Sequence, residues 1–461
     1  MKGWSPVLVW LILGSALLML GGCAGTNDEP TIITLWHNYG GQLKETMDQL
    51  IDEFNETAGA EAGIIISVTS ISGAAAIHEK LVMAANEEPG APALPDITIA
   101  YPKTALLLAE KGLLVELDQF FTPEELAAYL PQFLEEGRLA GEQLYVFPTA
   151  KSTEVLFLNR TIFDRFAGES GASLDELGTF EGIARTAALY DDWAKRQDPK
   201  EGLRTFFMSD SLFNHALVGC RQLGAAFIDQ GAINFASPQY RQVWESYFRA
   251  AVQGRYTLYD GYAADLFKTG EIICSTGSTA GVMFFPDAVT YPDNTTEPAE
   301  LTILPYPVFE GGRKAALQRG AGMCVTRSTG EKERLAAVFL KWFTDPRNNL
   351  RFVASTGYLP VTEEAFDELI SRESEAVSDG KVKELLTTCQ QMQREYEFFV
   401  PPLFEGIDQL QLRYEETFKK TAAAAADRYG QLPAGSDPES ACDTAVMQAF
   451  ADLPVQFQGN S

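Results

Sequence analysis

Strand-like and helix-like runs alternate through the first part of the chain, and this pattern restricts the fold more than any other feature. TIITLW, from Thr31 to Trp36, is a short β-rich run. QLKETMDQLIDEFNET follows, with Leu43, Met47, Leu50, Ile51 and Phe54 at the spacing of one helix face. IIISVTSIS is β-rich again, LVMAANEE reads as helical, and ALPDITIA is a strand entered through Pro95. Strands separated by amphipathic helices need crossover connections, which predicts an α/β sheet with helices on its faces. No internal repeat accompanies the alternation. EEPGAPALP and YPDNTTEPAE, the most proline-rich stretches, read as surface loops.

Further along, EQLYVFPTAKSTEVLFLN sets apolar residues around a polar TAKST centre. SPQYRQVWESYFRAAVQG predicts a helix capped by Ser237, with Pro238 in its first turn. FKTGEIICSTGSTAGVMFF reads as an apolar run followed by a turn rich in glycine and hydroxyls. ERLAAVFLKWFTDP predicts a helix with Leu335, Val338, Phe339, Trp342 and Phe343 on one face. Asp345-Pro346 restarts a helix and Gly357 ends it. FKKTAAAAADRYG is helical in pattern, and residues 456–461 are expected to fray.

The chain opens with MKGWSP, where Lys2 is the one charge, and continues as VLVWLILGSALLML. That apolar run falls short of the roughly 20 residues that span a bilayer. Leu20-Gly21-Gly22-Cys23 then resembles a bacterial lipobox. The resemblance implies a signal peptide over residues 1–22, a diacylglycerol on the Cys23 sulfur, and a short tether over residues 23–30. An ordinary secretion signal with an incidental cysteine is the alternative. The expected location is extracytoplasmic, held to the cell membrane by lipid.

With 461 residues and 46% hydrophobic content, the chain can bury more than one core, and two or three domains are expected. The formal charge is −27, and removing residues 1–22 takes away Lys2 and no acid, leaving about −28. Such an acid excess argues against nucleic acid or an anionic membrane surface as partner. Cys220, Cys274, Cys324, Cys389 and Cys442 are far apart and form no CxxC, so neither a disulfide framework nor a zinc site is expected, although one pair could bridge outside the cell. His37, His78 and His215 are scattered, and no metal or cofactor is predicted.

ITLWHNYGG with its helix and FNET, then LPDITIA, resembles the start of family 1 extracellular solute-binding proteins of ABC importers. FPTAKSTEVLFLNRTIF is similar to their crossover segment. GAGMCVTRSTGEKERLAAVFLKWFTDPRNNLRFVASTGYLPVTEEAF resembles the family's most specific stretch, with TGYLPV closest to the sugar and glycerol-phosphate branch. These pieces run in order from residue 31 to about 366. The resemblance implies an α/β, two-lobe periplasmic-binding-protein-like fold (type II), with lobes joined by crossing strands at a hinge. Carried onto this chain, lobe 1 is 31–148 and 319–352, and lobe 2 is 149–318 and 353–455. A solute that touches both lobes biases an open–closed equilibrium, which a permease reads.

Candidate solute contacts lie near the ends of the predicted strands. Trp36, Asn38 and Tyr39 follow the first strand, where α/β ligands sit, although Trp36 can equally be core and Tyr39 can simply cap the turn. Lys151 and Ser152 lie in the crossover; the lysine can meet an anionic group, or pair with one of the abundant acids. Ser275, Gly277 and Ser278 offer hydroxyls and backbone N–H groups, or a plain strand-to-helix cap. Gly320 and Gly322 permit close approach of a ligand or of another backbone. Tyr358, confined between Gly357 and Leu359-Pro360, is the best-placed single contact, unless its ring packs beneath its own loop. The arginine-bearing late segment of glycerol-phosphate binders has no match in EYEFFVPPLFEGIDQLQLRY, since Arg413 lies further on. That departure favours a neutral sugar, oligosaccharide or polyol. Phe399 and Phe404 either add aromatic surface or belong to the core.

The function expected is therefore a lipid-anchored, monomeric, non-enzymatic receptor that hands a small solute to ABC permease subunits. Three alternatives stand beside it: a glycerol-phosphate-type binder, a sensor partner with the same fold, and, more remotely, an exported glycan-processing enzyme using paired carboxylates.

Overall fold

The computed structural model describes residues 29–139, 142–197, 204–369, 379–404, 406–433 and 436–458. The signal peptide, Cys23 and most of the tether lie outside these residues. Nine strands build two main sheets: β1 (Thr31–His37), β2 (Ile64–Ser70), β3 (Ile97–Ala100), β4 (Phe147–Pro148), β5 (Glu154–Asn159), β6 (Thr205–Ser209), β7 (Ile272–Ser278), β8 (Leu301–Leu304) and β9 (Gly322–Val325). The first sheet has the order β2-β1-β3-β9-β4, and the second β8-β5-β7-β6.

β1 shows why the first sheet needs two covering layers. Its Ile33 and Leu35 pack with Met47, Leu50 and Phe54 of helix Gly41–Glu56 and Phe339 of helix Gly330–Phe343. Trp36 points the other way, into an apolar layer with Ile77, Leu81, Ala105 and Leu108. Alternating side chains thus bury both faces, and each fully buried Leu, Ile or Phe stabilises by about 1.5–3 kcal/mol. β1 runs parallel to both neighbours, with Thr31 opposite Ile64 and Leu35 opposite Ile97, so its connections must cross over through helices. β9 returns antiparallel, setting Gly322 opposite Ala100 and Pro148.

In the second sheet every residue of β5 is buried. Antiparallel β7 and β8 flank it, with Ser278 opposite Glu154 and Leu301 opposite Asn159; β6 adds a parallel edge beside β7. Helix Pro238–Val252 packs here, with the Ser237 side chain accepting from the Tyr240 N–H as its cap. Helices Ile407–Gly430 and Pro438–Gln458 lie against it.

The two lobes are joined by crossing chain segments rather than by one string. Residues 149–153 carry the chain from β4 to β5, and residues 318–321 lead back into β9. Their backbones pair, Ser152 N–H donating to Arg319 at 3.0 Å and Arg319 N–H to Ser152 at 2.8 Å. A third segment joins them: Lys151 N–H donates to Leu359 at 3.2 Å, and Leu359 N–H to Lys151 at 2.6 Å. Asn349 Nδ2 donates to the Thr149 carbonyl at 2.6 Å, fixing the first segment to helix Pro346–Ala354.

Two expectations change. Ser275, Thr276 and Gly277 form strand, not turn, because β7 is central and its backbone groups pair with β5 and β6 on either side. The tail does not fray at residue 456: the helix runs to Gln458, where Phe457 packs against Phe235 at 5.3 Å between ring centroids. The five described cysteines are all free and buried.

Candidate functional site

The loop ends of both sheets converge on the crossing segments, and a cavity of about 530 Å³ opens there. One side carries Tyr101, Lys103, Glu136 and Arg138; the other carries Phe213 and Asn214; Gln318, Arg319 and Gly320 of the crossing segment lie between. Lys103, on helix Pro102–Glu110, forms an ion pair with Asp408 of helix Ile407–Gly430 across this gap.

Arg319 occupies the centre. Its Nη1 donates to Glu154 Oε1 at 2.9 Å, and Asn214 Nδ2 donates to the same oxygen at 2.7 Å. Glu154 is almost wholly buried, whereas the Arg319 side chain keeps 39% of its surface in solvent. Burial pushes the Glu154 carboxyl above its ordinary range, and Arg319 and Asn214 pull it back. Asp210, just past β6, is solvent-accessible and accepts from the Ala263 N–H at 3.2 Å. Burial by the surrounding protein, reinforced by nearby Glu154, pushes its pKa up to about 6. A β-carbon at Gly277 would lie 2.5 Å from Asp210 Oδ2, so the glycine leaves that carboxylate its place.

Aromatic rings gather at the end of β1. Tyr39 meets Phe352 at 5.2 Å and Tyr358 at 6.2 Å between centroids. Burial, with Tyr358 and Tyr101 close by, raises the Tyr39 hydroxyl well above its usual value. His37 beside it is wholly buried, and burial lowers its pKa to about 4, so its ring is neutral. Gly357, at φ +74°, lies so close to Thr279 that a β-carbon would sit 2.6 Å from the Thr279 carbonyl oxygen, which seats the Tyr358 loop on the second sheet.

The residues singled out in the sequence fall into two groups. Ser278, opposite Glu154 in the ladder, and Gly320, which lines the cavity at φ +106°, flank the Arg319–Glu154 pair; Tyr358 lies close to Arg319, and Tyr39 packs against Tyr358. Asn38 is half-buried between His37 and Tyr39, and Gly277 faces Asp210. The others are packed into the interior. Trp36 lies in the apolar layer of the first sheet, Ser275 is wholly buried in β7, and Ser152 is buried with its backbone paired to Arg319. A β-carbon on Gly322 would sit 2.5 Å from the Phe147 carbonyl oxygen, so this glycine serves strand packing. Lys151 Nζ meets Glu136 Oε2 at 2.6 Å with both side chains almost completely buried. Arg413 stands away, donating to the Gln456 carbonyl at 2.7 Å and covering the Phe457 ring. Phe399 lies under the Arg221 guanidinium, and Phe404 packs against the core near Gly231.

Arg319, Glu154, Asp210, Asn214 and Tyr101 were not among the sequence candidates. Arg319 adjoins Gly320 and Tyr101 ends the LPDITIA strand, so both had a local signal. The carboxylates had none.

Two α/β lobes, paired crossing segments and a cavity between the lobes define a hinged binder of small solutes. The family model of bacterial extracellular solute-binding proteins matches residues 49–382, and the chain belongs to that family. Solved structures share the fold at low sequence identity. The cyclic alpha-maltosyl-1,6-maltose binding protein from Arthrobacter globiformis is 18% identical with a TM-score of 0.67, covering 92% of this chain and 99% of its own. UgpB from Mycobacterium tuberculosis, in complex with glycerophosphocholine, is 16% identical with a TM-score of 0.64 over 93% and 99%. The sugar-binding protein MalE from Xanthomonas citri is 16% identical with a TM-score of 0.64 over 94% and 100%. No curated protein sequence matches the chain.

Proposed function

We propose that the protein captures a sugar, oligosaccharide or polyol between its lobes and delivers it to the permease of an ABC importer. The observation that carries this is the chemistry of the cavity: the side-chain oxygens of Glu136, Asn214 and Gln318 and the guanidiniums of Arg138 and Arg319 line it, with the Tyr101 ring beside them. Hydroxyl-rich solutes need that combination, polar groups for their O–H and flat rings for their C–H faces. Solved structures of a cyclic alpha-maltosyl-1,6-maltose binding protein and of a sugar-binding protein with the same fold support the same class of solute.

In this reading Tyr39, Tyr101, Asn214, Ser278, Arg319, Gly320 and Tyr358 contact the solute, and Asn38 and Gly277 shape its surroundings. Lobe 1 comprises residues 31–148 and 319–352, and lobe 2 residues 149–318 and 353–455. The chain acts as a monomer, by binding and not by turnover, tethered outside the cell through a lipid on Cys23. The carboxylates beside Arg319 disfavour a phosphate ligand of the kind present in the UgpB complex.

Titration calorimetry with a carbohydrate panel tests the proposal, paired with small-angle scattering. Saturable one-to-one binding and a smaller radius of gyration are expected. Absence of binding to every carbohydrate, with binding of glycerophosphodiesters instead, refutes it.

A further inference from the structure

The polar groups gathered around Arg319, which lines the cavity, are unevenly matched. Glu154 Oε1 accepts from Asn214 and Arg319, and no hydrogen bond among the described residues reaches Glu154 Oε2. Asp210 Oδ1 accepts one backbone N–H, and Asp210 Oδ2 accepts none among the described residues. Gln318, 1% exposed and lining the cavity, adds a third open acceptor. Its Nε2 donates to the Gln132 carbonyl at 3.0 Å and to Glu136, so flipping the amide would set oxygen against two acceptors. Gln318 Oε1 is therefore the atom left buried without a partner.

Charge is uneven in the same direction. Arg319 faces Glu154 and Asp210, and Glu415, held by Ser211 Oγ and the Phe213 N–H, adds a third carboxylate. The other cations nearby already have partners: Lys151 meets Glu136, Lys103 meets Asp408, Arg138 meets Asp118, and Lys419 meets Asp260. One ring stands ready on this side. Tyr262, 78% exposed, directly precedes Ala263, whose N–H holds Asp210. An accessible carboxylate with an open oxygen suits an ammonium group through ion pairing, and an exposed ring one residue from its anchoring N–H is available to add cation–π attraction.

We infer that the solute carries a protonated amine among its hydroxyls, an amino sugar or comparable polyhydroxylated amine, with the ammonium seated against Asp210 beside Tyr262. This rests on the carbohydrate reading above and narrows it. Hydroxyls of the same solute supply donors to Glu154 Oε2 and Gln318 Oε1. An anionic sugar would meet surplus carboxylate and is disfavoured.

Calorimetry on the full chain at pH 6.5, where a substantial share of the probe's amines is protonated, compares three matched probes: deacetylated chitooligosaccharide, its N-acetylated form, and a neutral glucose oligosaccharide of equal length. The amine-bearing probe is expected to bind about tenfold more tightly than either partner, the worth of a charge-assisted hydrogen bond. In Asp210→Asn that preference falls to within about twofold, with an unchanged far-ultraviolet circular dichroism spectrum showing that the variant is folded. Equal or weaker binding of the amine probe overturns the inference and leaves the carbohydrate reading standing. A preference that survives in Asp210→Asn overturns it as well. Binding of none of the three removes both.

Discussion

Two ion pairs meet at the crossing segments, and they differ in what they leave over. Lys151 and Glu136 have side chains only 4% and 6% exposed, and Gln318 also donates to Glu136, so this pair is closed on itself. Burial lowers the Lys151 pKa, and Glu136 opposes that shift. Arg319 and Glu154 are 39% and 4% exposed; the guanidinium lines the cavity, and Glu154 Oε2 receives no hydrogen bond among the described residues. On the same crossing segments, the first pair is closed off, and in the proposed reading the second addresses a solute. A buried charge pair is thus evidence of a site only when part of its hydrogen-bonding capacity remains open.

Breaking the closed pair gives the largest effect. Lys151→Ala leaves Glu136 as a buried carboxylate and is expected to cost about 3–5 kcal/mol in a urea unfolding titration. A loss below about 1 kcal/mol would erase the contrast between the two pairs.

Acid separates the interior from the cleft. His37 and His215 are buried, which lowers their pKa from 6.5 to about 4 and about 3. The unfolded chain therefore takes up more protons below pH 6.5. Their contribution to stability is intact above that pH and declines as pH falls toward 4, by on the order of 3 kcal/mol for His37. Melting curves from pH 7.5 to pH 4.5 should show this decline, and it should be smaller in His37→Gln.

The open pair should show itself in binding more than in stability. Arg319→Gln is expected to weaken carbohydrate affinity by about ten- to a hundredfold, or roughly 1.4–2.7 kcal/mol. Its stability loss should be about 1–2 kcal/mol, because Asn214 still donates to Glu154. Equal losses in Lys151→Ala and Arg319→Gln binding would show that the two pairs do the same work.

Asp210→Asn gives the smallest change and has the opposite sign. The folded pKa of Asp210 is raised to about 6 from 3.8, so its ionised form is disfavoured in the folded protein above pH 6. That penalty fades as pH falls from 6 toward 3.8. After allowing for the exposure of this carboxylate, the variant should gain on the order of 1 kcal/mol at pH 7.5 and little at pH 4, as read by chemical unfolding.

Much of the scaffold was legible in the sequence because its determinants are local. The helix face of Leu43, Met47, Leu50 and Phe54, the Ser237 cap, and the restart at Asp345-Pro346 all fold as their spacing predicts. Ser275–Gly277 misled because hydroxyls and glycine favour turns locally, whereas ladders on both sides hold a central strand in place. The site was less legible for a related reason. Glu154 and Arg319 lie 165 residues apart, and among 63 acidic residues nothing local marks Glu154 or Asp210 as a neighbour of Arg319. Trp36 followed by Tyr39 offered two aromatic candidates at one strand end; strand alternation buries Trp36, and Tyr39, beyond the strand, reaches the other rings.

Closure of the lobes on a solute is measured most directly by electron-spin distance measurements across the cavity. Labels are placed on helices Pro102–Glu110 and Ile407–Gly430, at exposed positions other than Lys103 and Asp408. The five described cysteines are buried, so introduced thiols can be labelled selectively. With the tightest-binding carbohydrate of the calorimetric panel, a shorter distance should appear and grow with the same half-saturation as the heat of binding. A distance distribution that stays unchanged while the calorimetric site is full would contradict a hinged clamp.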